Sequence, residues 1–303
     1  MIRRVLETIA ERQRRRSFEK EPWQWFLLAG PRERAALTDP DPSSLRPIYP
    51  PPDRFWADPF VWVHDGQHYL FFEDYPYATR KGLISVMPVS AEGLPLAAAR
   101  PVLECGVHLS YPFLFEVDGA LYMIPEKKAQ RRVDLYRCLR FPDRWVVERT
   151  LFKGRKMVDV TVFPFEGHWW LFASLKEKGL RYDESLVAFY TDHPLKGEWR
   201  PHAENPIVRD YARGRSAGGV QQAVDGSLLR PSQDCSQYYG GGLNLLRIET
   251  LSPSHYQERR IWHRSGEAAG GWRGMHHLDW REGLMVMDAQ RKRPEPDPVT
   301  SGP

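Results

Sequence analysis

Five short hairpins of one kind constrain the fold of this chain most. Each is an apolar strand, an acidic-Gly turn and a second apolar strand. They read DPFVWVHDGQHYLFFED, turning at Asp65-Gly66; YPFLFEVDGALYMIPEK, turning at Asp118-Gly119; TVFPFEGHWWLFASL, turning at Glu166-Gly167; VQQAVDGSLLRPSQD, turning at Asp225-Gly226; and HHLDWREGLMVMDAQ, turning at Glu282-Gly283. Glycine supplies the positive φ that so tight a turn needs. The turns recur about every 50 to 60 residues, room for a four-stranded sheet and its loops. An all-β fold follows, and the repeat predicts a five-bladed β-propeller, whose radial closure protects sheet edges. A β-sandwich would account for the strands but not for five alike hairpins.

The blades are expected over 52–100, 105–150, 155–205, 213–255 and 268–293. The last is short by a strand, and the aromatic segment Trp23–Leu28 is expected to supply it and close the ring. The polar, Gly-rich NPIVRDYARGRSAGG reads as the crossing from the third blade to the fourth. Residues 1–20 read as a basic amphipathic helix with Ile2, Val5, Leu6 and Ile9 on one side, 21–293 as the propeller, and 294–303 as a disordered Pro-rich tail.

The formal charge of +4 belongs to residues 1–20, which carry seven Lys/Arg and three Glu. The rest is balanced and has no excess for a basic face, so nucleic acid is not an expected partner. The basic segment suits a protein contact or an anionic membrane surface. No apolar run reaches the roughly 18 residues of a transmembrane span. Three scattered cysteines without a CxxC pair, and an N-terminus without an apolar leader core, point to the cytoplasm. Aromatic content of 13%, including 11 Trp, suits sheets and sugar-facing clefts.

A propeller gathers the starts of its inner strands and the ends of its second strands on one face. The starts carry Asp58, Ser110-Tyr111, Asp159 and Thr161, Gln221-Gln222 and His276-His277. The ends carry Glu73-Asp74, Glu126, Arg230, Gln233-Asp234 and Asp288. Paired carboxylates can divide acid and base work, so Asp58, Asp159, Glu126 and Glu73 are the candidate catalytic residues. Arg230, Asp234 and His277 are candidates for holding substrate, with Trp56, Tyr111 and Tyr239 as walls against a sugar ring. In a strand His276 and His277 face opposite sides, and His277 is expected to face the channel.

Plainer readings stand beside these. Asp58 precedes Pro59 and could begin a turn; Asp159, between Val158 and Val160, could be a buried ion pair. Glu126 could lie in a solvated turn, Asp234 could bond backbone amides, Arg230 could pair with an acid, and Asp288 could be structural. The chain has no HxH pair, no phosphate loop and no dinucleotide fingerprint. No cofactor and no metal-ligand set is expected, although channel acids are the oxygen donors calcium uses.

The stretches FWADPFVW, YLFFEDY, KGLISV, HLSYPFLFE, LYMIPE, VDLYR, VDVTVF, WWLFAS, RPSQDCSQYYG and HHLD cover roughly residues 52–290. As a set they resemble the N-terminal propeller domain of plant glucosamine inositolphosphorylceramide transferases and related bacterial proteins. The resemblance implies a five-bladed fold similar to furanosidase-like propellers of arabinanase and fructosidase type. Those enzymes carry carboxylates on successive blades. Asp58 in WADP resembles their first-blade base or nucleophile. Ser110-Tyr111-Pro112 stands where a pKa-tuning Asp is implied on the second blade, and Asp159 where a Glu acid is implied on the third. In the plant proteins sugar transfer belongs to a separate, later domain, so that activity is not implied here. The expected function is a glycoside hydrolase-like enzyme acting on a sugar or glycoconjugate. The alternative is a propeller that binds a glycan or glycolipid headgroup without catalysis. A protein-interaction propeller is the third reading, and the polar central ring argues against it.

Overall fold

The computed structural model describes residues 23–294. The expected N-terminal helix and all but the first residue of the expected tail lie outside the described residues. Those residues form five antiparallel sheets, one short helix at Gly266–Gly270 and a few 3-10 turns.

The chain begins with β1 (Trp23–Pro31) and β2 (Arg46–Ile48). Blade 1 is β3 (Arg54–His64), β4 (Gln67–Pro76), β5 (Leu83–Val89) and β6 (Arg100–Leu103). Blade 2 is β7 (Ser110–Val117), β8 (Ala120–Glu126), β9 (Arg132–Arg140) and β10 (Arg144–Lys153). Blade 3 is β11 (Met157–Phe165), β12 (His168–Leu175), β13 (Ser185–Thr191) and β14 (Arg200–Pro201), with β15 (Val208–Arg209) also paired to β13. Blade 4 is β16 (Gln221–Gln222), β17 (Leu228–Asp234), β18 (Gly242–Leu251) and β19 (Tyr256–Ser265).

Blade 5 closes the ring, and it differs from the expectation. After β20 (Leu278–Arg281) and β21 (Leu284–Lys292) the sheet continues through β1 to β2, so the N-terminal segment supplies two strands rather than one. β1 pairs with β21 from Trp23↔Lys292 to Pro31↔Leu284. β2 then covers the far edge of β1 through Leu27↔Ile48, Leu28↔Pro47 and Ala29↔Arg46. The ring is thus held shut by ladder hydrogen bonds between the two ends of the propeller.

The acidic-Gly pairs join inner and second strands as expected. At Asp65-Gly66, Asp118-Gly119, Glu166-Gly167 and Glu282-Gly283 both residues have positive φ, the geometry that matches strand twist in a two-residue hairpin. Between blades the sheets pack face to face on apolar side chains. Leu27, Val61, Leu70, Phe72, Leu284 and Val286 form one such seam between blades 5 and 1.

Candidate active site

The inner strands of blades 1, 2 and 3 carry the same irregularity at the same step. Pairing jumps from Ala57↔Glu73 to Phe60↔Phe71, from Ser110↔Glu126 to Phe113↔Ile124, and from Val158↔Ser174 to Thr161↔Phe172. Each jump leaves one extra residue on the inner strand, and in each a non-glycine residue turns left-handed: Asp58 (φ 52°), Tyr111 (φ 44°) and Asp159 (φ 55°). Such backbone costs a non-glycine residue about 1–2 kcal/mol, and a bulge re-aims a side chain. Glu73 and Glu126 stand on the second strands opposite Ala57 and Ser110, next to the bulges. Asp58, Glu73 and Asp159 are buried, while Glu126 is partly exposed.

Asp58 lies against blade 5. Its carboxyl Oδ2 accepts the Tyr111 N–H at 3.2 Å, and its own N–H donates to Asp288 Oδ2 at 2.9 Å. Asp288 Oδ1 accepts the N–H groups of His276 (3.0 Å) and His277 (2.9 Å), and Oδ2 lies 2.6 Å from His276 Nδ1. Burial acts to raise the Asp288 carboxyl, but His276 and these donors outweigh it and hold it below its usual range. His276 is raised: burial disfavours its cation, and Asp288 and Asp58 more than compensate. Asp58, with His276 Nε2 at 3.9 Å from Oδ1, is lifted by burial to about 7.

Glu73 is pushed well above the carboxylate range by burial, and then by the charges of Asp58 and Glu126. Burial also raises Glu126, against the pull of Lys128 and Arg215. Asp159 is lifted by burial to about 7, although Arg215 Nε donates to its Oδ2 at 2.8 Å. Arg215 reaches Asp183 Oδ1 at 2.8 Å through Nη1 and lies 4.7 Å over the Tyr239 ring. The charge of Glu126 also raises Asp159. The electrostatics therefore couple carboxylates from blades 1, 2, 3 and 5 in one buried cluster.

Asp58, His276 and Asp288 offer donor atoms within 4.8 Å of one another, the spacing of a metal-ligand set. The fit to a cation fails at Asp288. Three N–H groups and the His276 ring already occupy both of its oxygens.

Tyr111 and His277 form the apolar floor. The Tyr111 hydroxyl accepts the Gly218 N–H at 3.0 Å and lies 3.1 Å from Thr161 Oγ1. The His277 ring packs edge-on against Phe60 and Tyr111, and burial drives it to about 3, so it is neutral. Both histidines meet Asp58: His277 Nδ1 lies 3.7 Å from its Oδ1, and His276, which also pairs with Asp288, is stacked on Trp25 at 4.0 Å and touched edge-on by Tyr239. Neither histidine lies within a strand, so the alternation expected of the pair does not apply.

Other candidates have partners of their own. Arg230 is bound at 2.8 Å by both oxygens of Glu258, which also accepts the Tyr256 hydroxyl. β17 runs on through Pro231 to Asp234, which leaves Arg230 mid-strand and not at an end. Asp234 accepts the Ser236 N–H and hydroxyl and lies 3.1 Å from His263. Trp56 packs on Phe72 in the seam between blades 5 and 1. Gln221 bonds Asp279 beyond the floor. The bridge Ser216↔Ser232 puts blade 4's inner-strand start further back, at Ser216 to Gly218. A Cβ on Gly218 would lie 1.8 Å from Leu278 O, which explains the glycine. Arg215, His108 and Asp183 are the site groups that the sequence did not single out. Arg215 is one of three arginines in the crossing loop, and nothing local distinguishes it.

A family model described as glucosamine inositolphosphorylceramide transferase 1, N-terminal, matches residues 48–286. The chain belongs to this family. Glucosamine inositolphosphorylceramide transferase 1 of Oryza sativa subsp. japonica is 36% identical over 252 residues, which are 79% of this chain and 34% of that protein. The Arabidopsis thaliana protein of the same name is 34% identical over 238 residues, 76% of this chain and 31% of the other. This member of the transferase N-terminal family thus spans about a third of the length of the curated relatives it matches. Its fold is similar to the catalytic domain of the Coprinopsis cinerea GH62 alpha-L-arabinofuranosidase, with a TM-score of 0.57 at 12% identity over 78% of this chain and 90% of that one. It is also similar to the alpha-L-arabinofuranosidase PaAbf62A from Podospora anserina, with a TM-score of 0.56 at 12% identity over 78% and 91%. The chain therefore shares its five-bladed fold with these two arabinofuranosidase structures. No helix among the described residues is long and apolar enough to cross a membrane.

Proposed function

We propose that this propeller is a glycoside hydrolase-like enzyme acting on a sugar or glycoconjugate, with Asp58 as base or nucleophile and Glu73 as proton donor. One observation carries the reading: at the blade 1 bulge Asp58 has the Tyr111 N–H and the His276 ring to hold its ionised form, whereas burial and the charges of Asp58, Glu126, Asp288 and Asp74 all favour the protonated form of Glu73. Environments that drive two acids apart divide acid and base roles between them. The Tyr111 N–H and the His276 cation support the ionised form of Asp58. Glu73 would protonate the leaving oxygen as the glycosidic bond breaks, while Asp58 attacks the anomeric carbon or draws a proton from water. Glu126 and Asp159, steadied by Arg215, would bind sugar hydroxyls, with Tyr239 as a wall.

The test is turnover of a panel of aryl furanosides and pyranosides and of plant and bacterial oligosaccharides. Asp58→Asn and Glu73→Gln should each lower kcat at least about 100-fold while glycan binding survives. Wild type that neither turns over nor binds any of them overturns the reading. The Arg215–Asp159 bridge favours a second reading, a glycan- or glycolipid-headgroup-binding propeller, because it engages one acid in structure. Binding without turnover, unchanged in both variants, would select it.

A further inference from the structure

His108 lies in the loop between β6 and β7, and Gly82 immediately precedes β5. The Gly82 N–H donates to His108 Nδ1 at 2.9 Å, so Nδ1 is an acceptor. Burial, and then the nearby Lys128 charge, bring His108 down to about 4, so its ring is neutral at physiological pH. A neutral imidazole with an accepting Nδ1 carries its hydrogen on Nε2. That atom lies 3.4 Å from Glu73 Oε1. The arrangement is closely packed. A Cβ at Gly82 would lie 2.8 Å from His108 Cε1, 2.9 Å from Glu73 Oε1 and 2.5 Å from Leu109 O. The Leu109 N–H returns to Gly82 O at 2.9 Å, which ties the His108 backbone to the start of β5.

We propose that His108 is a positioning residue that fixes which oxygen of Glu73 carries the proton. A carboxylic acid has one carbonyl and one hydroxyl oxygen, and the His108 Nε2–H, 3.4 Å from Oε1, favours Oε1 as the carbonyl. The proton then belongs to Oε2. When Oε2 gives that proton to the leaving oxygen of a substrate, the N–H of His108 meets the charge left on the carboxylate. The inference rests on the proposed role of Glu73 as proton donor. The charged groups that act on Glu73 are Asp58, Glu126, Asp288 and Asp74, and Lys128 acts on His108.

Two variants separate the two contacts of the ring. His108→Asn keeps an acceptor near Nδ1 for the Gly82 N–H but cannot reach Glu73. His108→Gln keeps a donor near Nε2. In protein labelled at glutamate side-chain carboxyls, with the Glu73 resonance assigned by Glu73→Gln, the Glu73 titration should move up by about 0.5–1 unit in His108→Asn and return close to wild type in His108→Gln. In any assay with turnover, the alkaline limb of the kcat profile should move the same way while KM holds. A Glu73 titration unchanged in His108→Asn overturns the proposal. The carboxyl resonance is read without substrate, so a propeller with no turnover would refute the acid role of Glu73 and still decide whether His108 acts on it.

Discussion

Asp58 and Asp159 occupy the same step of the inner strands of blades 1 and 3, on backbone of nearly the same left-handed twist (φ 52° and 55°), yet their partners differ in kind. Asp58 receives a backbone N–H from Tyr111, whereas Asp159 receives the Arg215 guanidinium at 2.8 Å. The repeat delivers both acids to the axis, and the loops beyond it decide what each one meets. Removing one partner of a buried ion pair leaves an uncompensated charge. Asp159→Ala should therefore destabilise the protein by about 3 kcal/mol in urea unfolding. With Arg215→Met added, the loss should be smaller than the sum of the two single losses by at least about 1 kcal/mol. Strict additivity would show that the bridge does not couple the two residues.

The acidity of Asp58 makes stability depend on pH. Its carboxyl titrates near 7 in the fold against an ordinary 3.8, so between those values the folded chain binds more protons than the unfolded chain. Its contribution to stability falls as pH rises through that window, and Asp159 acts in the same direction. His277, neutral in the fold down to about 3 against an ordinary 6.5, acts oppositely and costs stability as pH falls below 6.5. Asparagine at position 58 keeps an oxygen for the Tyr111 N–H and removes the titration. The Tm of Asp58→Asn relative to wild type should rise by about 2–5 °C between pH 5 and pH 8. A difference that stays constant across the range contradicts the assignment.

Tyr111 spans the floor of the site by hydrogen bonding as well as by packing. Tyr111→Phe keeps the ring against Phe60 and His277 but removes the acceptor of the buried Gly218 N–H. The cost should be about 1–3 kcal/mol, read as a lower urea midpoint at unchanged m. A midpoint equal to wild type would mean that the hydroxyl contributes nothing to joining blades 2, 3 and 4.

Ring closure depends on both N-terminal strands. A chain starting at residue 49 loses β1 and β2, which bares the β21 edge and the seam that Leu27 and Leu28 fill. It should show no cooperative melting transition and should aggregate. A chain starting at Trp23 keeps both strands and should melt as a folded protein. If the shorter chain melts cooperatively near the wild-type Tm, blade 5 is stable as a two-stranded edge.

The hairpins, their turns, the ring and its closure from the N-terminus were legible because strand period and acidic-Gly turns are local signals. The positions of Asp58, Tyr111 and Asp159 were legible for the same reason, since each stands at one step of a repeated strand. The second closing strand was not, because Arg46–Ile48 is too short to carry a period. Arg230 was assigned to a strand end because Pro231 suggested one, and only the ladder shows the strand continuing. The contacts of His276 and His277 with Asp58, the Arg215 bridge and the His108 contact join segments far apart in the chain. Side-chain direction at these places follows from loop paths and hydrogen-bond register once the ring has closed. The raised acidities arise there too: a carboxyl titrates far from its ordinary value only when the blades exclude water and bring other charges close. Sequence thus determined which residues reach the axis, and tertiary structure decided their partners and their protons, because burial and register are properties of the closed ring.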